Sequence, residues 1–471
     1  MSQMPVAALG SLLLAASPAA EPHPLMVIPF VVLLLCIALM PFIHKHHWEN
    51  HYPKVAIGLA LVTTIYYVAV LHNAPRILLS LIEYAGFMAL IGSLYVIAGG
   101  IHIRMSGRST PAVNTGLLAL GAVVANVIGT TGASMLLIRP YLKINKDRVA
   151  PYHIVFFIFL VSNIGGALTP IGDPPLFLGY LKGVPFLWLM KVPAVVLSWL
   201  LCVGVLLALF FVIDSKNYRR TETGTETTGG NRLAIEGSLN FIWLVVILAL
   251  VLVQKAEWLH GVGHSTIASA LSTLTGWSDA RSGENIVTLA VAVLMVVAAW
   301  LAYKFADDNV LKENAFDFHP VREVGFLFVG IFATMVPALD LLEHHAAAIG
   351  ITTVGQFYWG TGALSSVLDN APTYLNFLAA AFGLHNLSLE NPVHMQAILA
   401  NAVTARYIVA VSIGAVFFGA VTYIGNGPNF MVKSIAESSG VKCPSFFGYL
   451  LKYALPILIP LFAVVAWLFL N

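Results

Sequence analysis

The sequence predicts an all-α polytopic membrane protein of two inverted repeats, each with five spans, a re-entrant hairpin and a broken helix. Three observations predict it. The 471 residues are 59% hydrophobic and only 10% charged, where soluble domains carry roughly 25% charged residues. A polar, helix-breaking stretch, Thr169-Pro-Ile-Gly-Asp-Pro-Pro175, interrupts a long apolar run. A second copy follows as Thr422-Tyr-Ile-Gly-Asn-Gly-Pro428, and aligning Gly166–Leu178 with Gly419–Met431 gives seven identities in thirteen positions. Proline has no N–H and crowds the preceding turn, so each run should unwind there. Unwound backbone survives at membrane depth only where it is buried in protein or lines a wet cavity. Two such breaks at matching places in two halves are the usual pointer to a transporter's substrate site.

Residues 1–24 form an N-terminal segment, with Ala7–Ala16 readable as a signal-peptide core or as a retained outer segment. Apolar runs of near-spanning length fall at about 25–43, 55–72, 84–101, 151–178, 186–213, 236–256, 285–303, 324–342, 394–426 and 446–470. Two further segments, 111–138 and 352–383, are apolar but rich in Gly, Ser, Thr and Asn. Arg104 and Arg108 precede the first, while Arg139, Lys143, Lys146 and Arg148 follow it. One ordinary crossing would put one of these basic groups outside, so a hairpin entering from the inner side is expected. The second segment has no Lys or Arg near either end and suits a hairpin entering from outside. Inner loops then hold 18 of the 24 Lys and Arg, as the positive-inside rule requires.

This layout divides the chain into a first repeat at 25–220, a flexible Thr/Gly-rich linker at 221–235 and a second repeat at 236–471. An odd number of crossings per repeat forces the copies into opposite orientations. Pairs of residues support the repeat: Gly86-Phe87 matches Gly325-Phe326, and Ala125–Leu136 lies opposite Ser365–Asn376. The three cysteines show no metal spacing, and the cluster His44, His46, His47 and His51 reads as a solvated loop.

Charges inside spans are costly and need a reason. The candidates are Asp173 in the first break, Asp369 at the second hairpin tip and Arg406, read as roughly midway along its span. Each Asp has an ordinary alternative role, capping a half-helix. Around them stand oxygen donors: Asn126, Thr130, Thr131, Asn163 and Thr169 in the first half, with Gly172 allowing close backbone approach. Ser365, Ser366, Asn370, Thr373, Thr422, Asn426 and Asn429 follow in the second half, with Gly425. Sodium is a hard ion suited to such oxygens, so Asp173 and Asp369 are expected to hold it. Paired carboxylates can also hold a proton, so a site binding either sodium or protons would exchange them by competition. Arg406 reads as an ion-pair partner or an anion ligand.

These residues resemble the ion transporter superfamily that holds citrate, dicarboxylate, arsenite and NhaD-type sodium/proton carriers. The carriers of the likeness are Ser162-Asn-Ile-Gly-Gly166 running into Thr169-Pro-Ile-Gly-Asp173, and Ser366-Val-Leu-Asp-Asn-Ala-Pro372. The hairpin tips depart from the Ser-Asn-Thr triplet of the dicarboxylate branch, since Asn126 is followed by Val127-Ile-Gly. The resemblance implies a homodimer whose transport domain slides against a scaffold. The expected function is sodium/proton antiport across a bacterial inner membrane, with sodium as transported ion and no cofactor. The alternative is proton- or sodium-coupled transport of citrate, another carboxylate or an arsenite-like anion. No enzyme activity and no nucleic-acid partner are expected. An intramembrane aspartyl protease is disfavoured because Pro170 stands where its Gly-x-Gly-Asp signature needs glycine.

Overall fold

A computed structural model describes residues 21–106, 109–221, 232–254, 265–345, 348 and 350–470. The expected N-terminal segment up to residue 20, Arg108, linker residues 222–231 and Lys255 lie outside the described residues. Among the described residues, nine helices are long and apolar enough to cross a membrane. This is a multi-pass, all-α membrane protein. Its outer faces carry exposed Leu, Ile, Val and Trp side chains, such as Ile28, Leu61, Val245, Val293 and Trp467, as lipid contact demands.

One of the nine helices, Pro111–Ile144, does not run straight. Gly129 breaks it at φ 78°, ψ 157°, a conformation open to glycine and costly for other residues. The two arms then fold back on each other. Their far ends meet through a reciprocal amide pair: Asn114 Nδ2 donates to Asn145 Oδ1 at 2.8 Å, and Asn145 Nδ2 donates to Asn114 Oδ1 at 2.9 Å. The segment is therefore a helical hairpin, longer than expected, so Arg139 and Lys143 lie on its second arm rather than after it. The base is fastened by Asp214, which accepts from Asn114, Tyr152 and both terminal nitrogens of Arg148 at 2.6–2.9 Å. The second hairpin pairs Val354–Ser365 with Asn370–Leu384 around a tip at residues 366–369.

The other eight long helices answer to eight of the expected spans; the remaining two are shorter apolar helices, Pro151–Gly166 and Asn240–Val253. The run expected at 151–178 is helical to Leu160, irregular through the motif, and helical again over Pro174–Leu181. The run expected at 394–426 is three pieces. Pro392–Ala400 ends at Asn401, whose side chain accepts from Val403 N at 2.9 Å and starts Ala402–Phe418; the second break then leads into Gly427–Ser438. Two short strands, His102–Ser106 and Arg232–Glu236, pair antiparallel. The all-α expectation holds except for this pair.

Helix Pro151–Leu160 sits at the centre, with Ile154 to Leu160 each at most 1% exposed. An element buried on every side needs no polar face, which is why this stretch reads as continuous hydrophobe. Around the centre lie the two hairpins and the two breaks, while Ala74–Gly99 packs against Asp279–Lys304 alongside them.

Where these two groups of helices meet, a largely buried ion network joins them. Lys182, just after Pro174–Leu181, contacts Glu83 and Glu390, both at 2.7 Å. Arg281 reaches Glu390 at 2.7 Å, and Arg76 lies 3.2 Å from Glu390 and 2.9 Å from Asp340. Burial alone would raise the Glu390 carboxyl, but Arg76, Lys182 and Arg281 outweigh it and hold it well below the usual carboxylate range. A depressed carboxyl contributes stability above its unfolded value, about 4.3, and loses it as pH falls toward the folded value. Glu390→Gln, which leaves three cations short of one anion, should cost about 3–5 kcal/mol at pH 7. It should also flatten the loss of unfolding temperature below about pH 5. Thermal unfolding of both proteins across pH 3–8 checks this.

Candidate functional site

The two breaks and the two hairpin tips meet at Asp173. Its backbone is extended (φ −144°, ψ 145°) and sits at the N-cap of Pro174–Leu181, yet its side chain does not turn back to cap that helix. It reaches across instead. Thr130 Oγ1 donates to Asp173 Oδ1 at 2.7 Å, Asn426 Nδ2 to Oδ1 at 2.9 Å and Asn370 Nδ2 to Oδ2 at 2.6 Å. The carboxyl is 1% exposed. Three side-chain donors thus meet on its two oxygens.

Each donor opens a helix. Thr130 follows the Gly129 hinge at the start of the first hairpin's second arm, and Asn370 is the first residue of the second hairpin's second arm. Asn426 is the N-cap of Gly427–Ser438, with backbone angles (φ −154°, ψ 140°) that match those of Asp173, and it too leaves its own helix uncapped. Four helix N-termini therefore converge on one carboxylate. Asp369 behaves differently: its Oδ1 accepts from Ala371 N at 3.0 Å, an ordinary helix cap.

The breaks are held open by twin contacts. Thr169 Oγ1 donates to the Asn126 carbonyl at 2.6 Å and accepts from Gly172 N at 3.1 Å. Thr422 Oγ1 donates to the Ser366 carbonyl at 2.5 Å and accepts from Gly425 N at 3.2 Å. Each threonine so ties its break to the adjacent hairpin tip. Asn126 adds Nδ2 donations to the Ala122 and Gly165 carbonyls.

Of the residues expected at the site, Thr130, Asp173, Asn370 and Asn426 touch one another, and Asn163 joins them through Asn426. Thr131 and Gly172 line, with Asp173, a cavity of about 20 Å3, room for about one water. Ser365 Oγ, Ser366 Oγ and Thr373 Oγ1 are spent on the carbonyls of Ala415, Gly362 and Asp369. Arg406 is elsewhere. It lies one turn into Ala402–Phe418, not midway along a span, and its Nη2 donates to the Leu470 carbonyl at 2.8 Å. Arg406→Gln should leave the KM of transport within about twofold of wild type, because surface changes remote from a site usually act by less than 0.5 kcal/mol. A kinetic comparison in vesicles checks it.

Asn429, expected among the oxygen donors of the second half, and the backbone of Ser162 in the first motif also stand at the junction. Asn429 Oδ1 accepts from Asn163 Nδ2 at 2.6 Å, and the Ser162 carbonyl accepts from Asn426 Nδ2 at 3.2 Å. Asn370 Oδ1, fully buried, has no hydrogen-bond partner.

A family model described as "Putative citrate transport" matches residues 20–470, nearly the whole chain. The chain belongs to that family. Membership agrees with the resemblance read from the two break motifs and makes the protein a transporter of the citrate-transporter-like kind. A search among curated proteins returned no match.

Proposed function

We propose that the protein is a secondary transporter of citrate or a related carboxylate, driven by a cation bound at the Asp173 junction. The observation that carries this reading is the convergence of four helix N-termini on one buried carboxylate. Each N-terminus contributes about half a positive charge, so four bring roughly +2. With both ionised, Asp173 and Asp369 would bring −2 and make the junction close to neutral. A bound sodium ion or proton tips it positive, and only then do the helix N-termini favour a carboxylate, as half-helices do for anionic substrates. Cation and anion thus favour each other, which is the requirement for coupled uptake. The twin threonine contacts support reading the two halves as inverted copies around this centre.

The test is uptake of radiolabelled citrate by proteoliposomes under an imposed sodium or pH gradient. Uptake that rises with either gradient supports the reading; citrate left outside under both would sink it. A second reading, sodium/proton exchange, is favoured by one observation: no Lys, Arg or His lines the cavity at Asp173. It predicts that sodium chloride alone collapses a pH gradient across the vesicles, without citrate.

A further inference from the structure

The seam between the two groups of helices has unlike ends. At one end Lys182 and Arg281 meet Glu390 at 2.7 Å, and Arg76 meets it at 3.2 Å. At the other stands Arg139, on the second arm of the first hairpin, with its Nη1 buried and without a hydrogen-bond partner. Arg104 and Arg148 reach carboxylates, and Arg406 a carbonyl; Arg139 has no such acceptor among the described residues. Its charge acts on one titratable neighbour, the Tyr95 phenol, which supplies no counter-charge. Tyr95 Oη donates to the Asp317 carbonyl at 3.0 Å, while the Asp317 carboxylate accepts from His319 N at 2.6 Å. Tyr95 otherwise sits in an apolar cluster with Met135, one turn before Arg139, and with Ala299 and Phe316. A guanidinium cannot shed its charge, and a half-buried one without a partner calls for an anion.

We propose that Arg139 forms a second carboxylate site, where an anionic cargo is held between the Asp173 junction and the cytoplasm. This rests on the transport reading above and adds a station to the path of its cargo. The side is set by the basic groups around the hairpin base, which the positive-inside rule assigns to the cytoplasm. The path follows from the helix. Gly132, Met135 and Arg139 stand at i, i+3 and i+7, on one helix face. Gly132 and Tyr95 both line the cavity at Asp173, so that face runs from the cavity to Arg139 with Tyr95 beside it at both ends. Arg139 lies ten residues beyond the Gly129 hinge, or about 15 Å along a helix, which makes it a station separate from the hairpin tips. The planar guanidinium presents paired N–H groups that match a carboxylate. Its charge is permanent, so this site takes a carboxylate with no cation present, whereas the junction needs its cation first. At the opposite end of the seam the corresponding cations already hold Glu390.

Thermal unfolding of the purified full chain in detergent, free of sodium at about pH 8, tests this. Choline citrate is titrated against choline chloride of equal ionic strength, because citrate at high concentration also strengthens burial non-specifically. Citrate should raise the unfolding temperature of the wild type saturably. Arg139→Gln breaks no hydrogen bond or ion pair described within the chain, so it should fold, and its citrate midpoint should rise at least about tenfold. Arg139→Lys keeps the charge without the planar fork and should fall between the two. Asp173→Asn should keep the sodium-free response, since the junction is not its source. A citrate response absent from the wild type, or equal in Arg139→Gln, would overturn the assignment. A parallel titration with anionic phospholipid in the micelles separates the other source of an oxyanion. Stabilisation by lipid that is lost in Arg139→Gln, with no response to citrate, would make Arg139 a headgroup anchor and overturn the carboxylate site. Arg139-dependent citrate binding in a chain that takes up no citrate would sink the citrate reading and leave the site standing; citrate uptake without that binding would do the reverse.

Discussion

Asp173→Asn is expected to lower coupled uptake by at least about a hundredfold, equivalent to about 2.7 kcal/mol, in protein that still inserts and purifies. The substitution keeps the shape and the four helix ends but removes the charge they surround. It also leaves one amide oxygen to serve Thr130, Asn370 and Asn426, where two carboxylate oxygens served them before. Buried donors left without acceptors cost about 1–3 kcal/mol each, so a lower unfolding temperature should accompany the loss. Uptake rates in proteoliposomes, normalised to protein that elutes as a single species, are the measurement. Unchanged uptake would remove the carboxylate from the transport cycle.

The second large effect is structural. At Gly172 an added Cβ would lie 2.0 Å from the Gly166 carbonyl oxygen and 3.0 Å from its Cα; at Gly166 it would meet the Gly172 oxygen at 2.5 Å. Both obstacles are backbone, which cannot rotate aside like a side chain. Gly172→Ala should therefore push the two strands of the break apart and cost about 3 kcal/mol or more, the upper end of overpacking in a filled core. Loss of the folded peak on size-exclusion chromatography, with loss of uptake, is the expected result. Gly427→Ala is the control: nothing lies within 4 Å of its added Cβ, and yield and transport should be unaffected.

The breaks were legible because Pro and Gly act locally: Thr169–Pro175 and its second copy announce unwinding in a single line of sequence. The hairpins were legible through charge, since Arg104 and the basic group beyond Ile138 cannot face opposite sides of one membrane. What the breaks do was less visible. Whether an Asp before a Pro-led helix caps it or reaches elsewhere depends on the tertiary neighbours, and the two candidates differ: Asp369 caps, Asp173 crosses. The Asn163–Asn429 bond joins residues 266 apart, and no periodicity encodes such a pair. Arg406 was misplaced for a local reason. Asn401 is a good N-cap residue and starts a new helix inside a stretch whose composition is that of one apolar run. The Lys182–Glu390 network was hidden because each member looks like an ordinary loop charge until the fold brings them together.

The four converging helix ends have one more consequence. Their field is carried by peptide groups, which every residue shares, so on the transport proposal above point substitutions at Thr130, Asn370 or Asn426 would alter which atoms reach the cargo without weakening the pull beneath them. Attraction and selectivity are thereby assigned to different parts of the molecule. Changing the cargo of this scaffold is then a matter of redecorating a few side chains, while removing its appetite for charge would require dismantling the breaks themselves.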